Sequence, residues 1–164
     1  MNDLSLQEIQ AFLNGDEEAA AKVYYAYRNL MYFIIASYVD NKDDCDDLLS
    51  ESFLRLLEAR ESLTSGHGLK SYCASIARNL ALSFLRKRNP TESFDEAYAP
   101  SEDSVSEIYE QLEPLLSKKE IMVLYYKAVF GYRWEEIVEL TGIPSSTARL
   151  LYKQAKEKIR KESR

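Results

Sequence analysis

Between positions 133 and 161, residue types recur at spacings that carry a chemical meaning. Trp134, Ile137 and Val138 give a short helix one apolar face. Gly142 can take the left-handed turn that lets a chain reverse sharply, and Ile143 can fill the angle between two helices. Pro144, with Ser145 or Ser146 as cap, sets the start of a second helix, leaving backbone N–H groups and hydroxyls outward, suited to phosphate. Along that helix Ala148, Leu151 or Tyr152, Ala155 and Ile159 fall inward. Arg149, Lys153, Lys156 and Arg160 fall on another face, where a major groove and its phosphates would meet them. A plain helical hairpin with a solvated basic face is the alternative. The order of short helix, glycine turn and capped basic helix favours a DNA-binding helix-turn-helix.

Two further clusters leave more open. Residues 72–88 place Arg78, Asn79, Arg86, Lys87 and Arg88 beside aromatics. Cations can track a nucleic-acid backbone while rings stack on unpaired bases. Core aromatics with a basic helix end complementing the dipole would look the same. Residues 43–56 place Asp46, Asp47, Glu51 and Arg55 on one helix with Leu54. That pattern fits a solvated face or a protein-docking helix. A cluster binding Ca²⁺ or Mg²⁺ would need a glycine and a ligand spacing that are missing here.

The elements that must position these residues are helices. The chain has 164 residues with only five Gly and four Pro, too few punctuators for a many-turned sheet. It is 46% hydrophobic, enough for a real core. The spacing predicts a helix after Ser5 that stops at Gly15, a second from Asp16 to about Val39, a turn over 40–43, and a third from about Asp43 to Ala59. A loop over 61–68 and a helix over 69–87 follow. The apolar stripe of that helix is Tyr72, Cys73, Ile76, Ala77, Leu80, Phe84 and Leu85. Residues 90–104 are rich in Pro, Ser and acid and read as a flexible linker. Four more helices are expected near 105–115, 117–130, 134–140 and 145–161. The expectation is all-α: two helical domains over 1–89 and 105–164, joined by the acidic linker over 90–104.

Charge follows the same division. The net −6 comprises −3 over residues 1–90, −8 over 91–117 and +5 over 118–164. The basic block coincides with the helix-turn-helix. Cys45 and Cys73 lack metal spacing, and with one His no metal site and no cofactor are expected. Nothing resembles a nucleophile motif or a glycine-rich phosphate loop, so an enzyme is disfavoured. The longest apolar stretch, 30–39, is too short for a membrane span, and no leader opens the chain; both point to a cytoplasmic protein with reduced thiols.

Taken together and in order, the three clusters resemble the extracytoplasmic-function sigma factors of the sigma-70 family, over nearly the whole chain. Residues 46–57 resemble that family's acidic core-binding helix, 69–88 its promoter-melting helix, and 133–161 its C-terminal helix-turn-helix. Ile76-Ala77-Arg78-Asn79 is the most specific piece.

The resemblance implies roles. Asp47, Glu51, Phe53 and Arg55 would dock on the clamp of the polymerase's largest subunit, with the flap as a further contact of the chain. His67, in the 61–68 loop, with Arg78, Asn79, Arg86 and Arg88 would open the minus-ten element and hold its strand. Ser146, Thr147, Arg149, Lys153 and Lys156 would meet the minus-thirty-five element. The acidic linker would thread the polymerase's active-site and exit region, and an anti-sigma factor is a further partner the family often has. Leu151 stands where the family usually carries Arg, Ser83 where it often carries Asp, and Tyr72 where Trp is common. The competing readings are a helix-turn-helix transcription regulator and a sigma-like interaction protein without promoter activity of its own. Leu151 is the feature that keeps the last of these open.

Overall fold

A computed structural model describes residues 4–63, 68–91 and 111–164. They are helical, with no strand among them. Most helix starts follow from local side-chain bonds. In α1 (Leu6–Leu13) the Glu8 N–H donates to the Ser5 hydroxyl at 3.1 Å, and the Ser5 N–H donates to the Glu8 carboxylate at 2.9 Å. Asp16 opens α2 (Glu17–Ala36) by accepting the Ala19 N–H at 2.8 Å. Asn41 does the same for α3 (Lys42–Ala59), accepting the Asp44 N–H at 3.0 Å. That carboxamide starts the helix inside the turn expected over 40–43. Gly68, at φ +76°, leads into α4 (Leu69–Arg88).

Beyond the acidic segment, which lies mostly outside the described residues together with the helix expected near 105–115, Ser117 and Glu120 cap α5 (Lys118–Leu124) reciprocally. The single helix expected over 117–130 is present but changes form along its length. It widens into a π turn over Tyr125–Val129, closed by the Phe130 N–H donating to the Tyr125 carbonyl at 2.9 Å. Then come α6 (Trp134–Thr141) and α7 (Ser145–Glu162).

α2 is the central element of the N-terminal half and packs on α1, α3 and α4, while α7 packs on α5 and α6. The apolar stripe read for α2 is buried at Val23, Tyr27, Leu30, Met31, Ile34 and Ile35. In α4 the stripe holds at Cys73, Ala77 and Leu80, but Tyr72 points outward with 36% of its surface exposed. Ala74, Ala81 and Leu82 are buried in addition, because α4 is covered on more than one side. The buried cluster runs without a break from α1 to α7 across the division expected between the two halves. No described helix is long and apolar enough to cross a membrane.

The seam between the halves is aromatic. Phe33 of α2 stacks on Tyr125 with ring centroids 5.0 Å apart, meets Tyr126 edge-on at 5.2 Å and leans on Phe130 at 5.5 Å. The π turn makes this cluster by bringing Tyr125, Tyr126 and Phe130 toward one side. Tyr38 donates its hydroxyl to the Leu140 carbonyl at 2.7 Å, and Lys70 bonds the Phe130 carbonyl with its ammonium 4.4 Å from the centre of the Tyr132 ring.

Candidate nucleic-acid interface

The two helices expected on either side of Gly142 are joined by bonds that the sequence pattern only partly exposes. Gly142 sits at φ +76°, the left-handed turn its type permits. Ile143 is buried between the helices, as are Ile137, Leu140 and Ala148. Thr141, fully buried, was not singled out from the sequence. Its hydroxyl donates to the Ile137 carbonyl at 2.7 Å and accepts the Ile143 N–H at 3.1 Å, clamping the turn on both sides. A threonine just before a turn glycine was the available signal. Glu136 accepts the Arg133 N–H at 2.8 Å and starts α6.

The expected serine cap of α7 is corrected. Pro144 occupies the cap position at φ −57°, without a side-chain bond, and Ser145 is already helical. Its hydroxyl accepts from Arg149 Nε at 3.3 Å instead. Proline sets the entry angle by its ring, and the serine is released to hold the guanidinium.

Arg149 therefore has a defined position. Its guanidinium lies 5.3 Å from the centre of the Trp134 ring, with Lys127 at 4.8 Å from the same ring and Tyr152 edge-on to it at 5.5 Å. The contact ties the start of α7 to α6. Ser146, Thr147, Arg149, Lys153 and Lys156 are all exposed. Tyr152, Lys153, Lys156, Glu157 and Arg160 line a shallow groove of about 290 Å³ along the later turns. Leu151 is half-buried and packs on the core with Tyr152 and Ile159.

The residues read for the second DNA contact are divided. Asn79 and Arg86 are exposed and share one face of α4 with Tyr72, Ser75 and Ser83, the positions recurring at helical spacing. The place of Tyr72 in the apolar stripe is thereby corrected: its spacing of seven from Asn79 sets it on the outward face. Arg78 is elsewhere. It is half-buried beside the seam, with Nε out of contact with water and without a hydrogen-bond partner. Burial drives the phenol of fully buried Tyr126 far above its ordinary range, and the charge of Arg78 is only the smallest of the influences on it. Arg88 is exposed, 3.6 Å from Asp44 of α3 and over the Phe84 ring at 4.8 Å. His67 lies outside the described residues.

On α3, Asp47, Glu51 and Arg55 are exposed, with Glu51 and Arg55 paired at 2.9 Å. Phe53 turns inward, edge-on to Tyr24 of α2 at 4.9 Å, while its neighbour Leu54 is 58% exposed. Among the described residues no three His, Cys, Asp or Glu side chains are grouped to hold a metal ion. Cys45 and Cys73 are free and buried.

Residues 23–91, spanning most of α2 and all of α3 and α4, match the family described as sigma-70 region 2. The chain is 29% identical over 134 residues to the RNA polymerase sigma factor SigV of Bacillus subtilis (strain 168), covering 76% of this chain and 80% of that one. It is 23% identical over 179 residues to the ECF RNA polymerase sigma factor SigW of the same organism, covering 96% of each. Among solved structures it is similar to CnrH in complex with the cytosolic domain of CnrY, with a TM-score of 0.57, 14% identity, and 95% and 94% of the two chains covered. At that identity the likeness concerns the fold.

Proposed function

We infer that the chain, which belongs to the extracytoplasmic-function sigma factors of the sigma-70 family, directs promoter-specific initiation by RNA polymerase through two DNA contacts on opposite sides of its aromatic seam. The observation that carries this reading is the pairing of one helix-turn-helix, α6–Gly142–α7, with the region 2 match that contains α4. In this reading the exposed face of α7, with Ser146, Thr147, Arg149, Lys153 and Lys156, meets the minus-thirty-five element. Asn79 and Arg86, joined by Tyr72 as a stacking ring, hold the opened minus-ten strand. Asp47, Glu51 and Arg55 on α3 dock on the core polymerase clamp, with Phe53 supporting that helix from within. The chain acts in the cytoplasm as a specificity subunit, without catalysis of its own.

The two contacts impose a rearrangement. Elements named minus ten and minus thirty-five lie about 25 base pairs apart, roughly 85 Å of duplex. A compact chain of this length has a radius of gyration of about 15 Å. It cannot touch both elements at once, so the halves part along the Phe33 seam when polymerase spreads them on a promoter. Parting also uncovers Arg78 for the opened strand.

Leu151 bears on the reading of a sigma-like protein without promoter activity. It packs inward, so its side chain serves the core of the helix-turn-helix and leaves the outward face of α7 intact. Run-off transcription with the host core enzyme on genomic DNA tests the proposal. Discrete start sites that require the chain are expected. No stimulation with any core from its own host would refute it.

A further inference from the structure

Leu150 stands out on α7. It is 54% exposed and lies on the side of the helix opposite buried Ala148 and Ala155. Its neighbours on the outward face are Ser146 one turn before and Lys153 one turn after, with the basic row of Arg149, Lys153, Lys156 and Arg160 alongside. The site is therefore an apolar side chain in the second turn of the helix, set among hydroxyls and cations suited to phosphate. Early turns of such a helix are those that reach base edges in a major groove. The one apolar group a base pair presents in that groove is the 5-methyl of thymine.

We propose that Leu150 reads the methyl group of a thymine in the minus-thirty-five element. The inference rests on the promoter-binding reading above. Arg149, fixed by Ser145 and Trp134, and Lys153 set the register against phosphates or purines, and Leu150 desolvates one methyl between them. Leu151, one residue on, cannot serve, because it faces the core.

The test uses the full chain with core polymerase on a promoter mapped by run-off. Each thymine of the minus-thirty-five element is replaced in turn by deoxyuridine, which keeps the pairing edge and removes only the methyl. Initiation at limiting chain concentration should fall at one position by about fourfold, the factor that burial of a single methyl-sized group carries. Leu150→Ala should lose that sensitivity, and Leu150→Met should retain it. The residue is exposed, so both variants keep the fold, which far-UV circular dichroism verifies. Full tolerance of deoxyuridine at every position, an element with no thymine, or a Leu150→Ala chain that keeps the fourfold effect would each overturn the proposal while leaving promoter binding intact. No initiation on the thymine template by the unaltered chain would overturn promoter binding, and Leu150 with it.

Discussion

Replacing Phe33 with Ala removes the ring that joins α2 to the π turn. Phe33 is 4% exposed and touches three aromatic partners, all of them in the C-terminal half. Truncating a buried Phe to Ala costs about 3–5 kcal/mol, within which each aromatic pair contributes about 0.5–1.5 kcal/mol beyond its buried area. If the loss falls on the seam alone, about 3 kcal/mol shifts the closed–open equilibrium roughly a hundredfold toward open. The variant should keep its helical circular dichroism, while small-angle scattering gives a radius of gyration clearly above the compact value of about 15 Å. Binding of a single-stranded minus-ten oligonucleotide should tighten by up to the same hundredfold, since apparent affinity scales with the fraction of competent molecules. Phe53→Ala is the control, because Phe53 meets Tyr24 within the N-terminal half and should lower stability without opening the chain. Two results would refute the reasoning. One is a Phe33→Ala chain with unchanged scattering and unchanged strand affinity. The other is a chain that loses its helices in one step, which would make Phe33 part of an indivisible core.

Thr141→Val keeps the shape of the turn but leaves the Ile143 N–H unpaired, and should cost about 1–3 kcal/mol in denaturant unfolding; an unchanged midpoint would dismiss the clamp. Glu120 is buried, which raises its pKa, but the Ser117 N–H and the Lys158 ammonium at 3.0 Å outweigh burial and hold the carboxyl below its usual 4.5. Its contribution to stability is therefore complete above the unfolded carboxylate range and is lost as pH falls through the lower folded value. Glu120→Gln should flatten the acid limb of the stability curve below the unfolded carboxylate range, the limb over which the folded-state carboxylate takes up its proton. Burial pushes the Cys45 thiol up to about 11 and the Cys73 thiol up to about 12. Both should resist a thiol reagent at pH 8 in the native state and react on unfolding; rapid native labelling of either would contradict the packing.

Much of the local structure was legible because its causes are local. Ser5 with Glu8, Asp16 with Ala19, and Gly142 with its left-handed turn act within a few residues, so spacing alone announces them. Helical period separated buried Ala148 and Ala155 from the basic row on α7 for the same reason. The cap at Pro144 was misread because a serine next to a helix start has two uses, and its choice depends on whether an Arg guanidinium is within reach.

What the sequence determined by itself was most of the described helices, the left-handed turn at Gly142 between two of them, and the charge division that sets the basic C-terminal block apart. Only the tertiary structure decided which neighbours on those helices face outward. Arg78 and Asn79 are adjacent in the chain, yet one is half-buried with its Nε shut off from water and the other is exposed. Leu150 and Leu151 divide in the same way. The physical reason is that adjacent residues on a helix differ by about 100°, so the faces they occupy depend on what packs there. At the seam that is an aromatic cluster assembled from positions about ninety residues apart, a contact that periodicity within one segment does not encode.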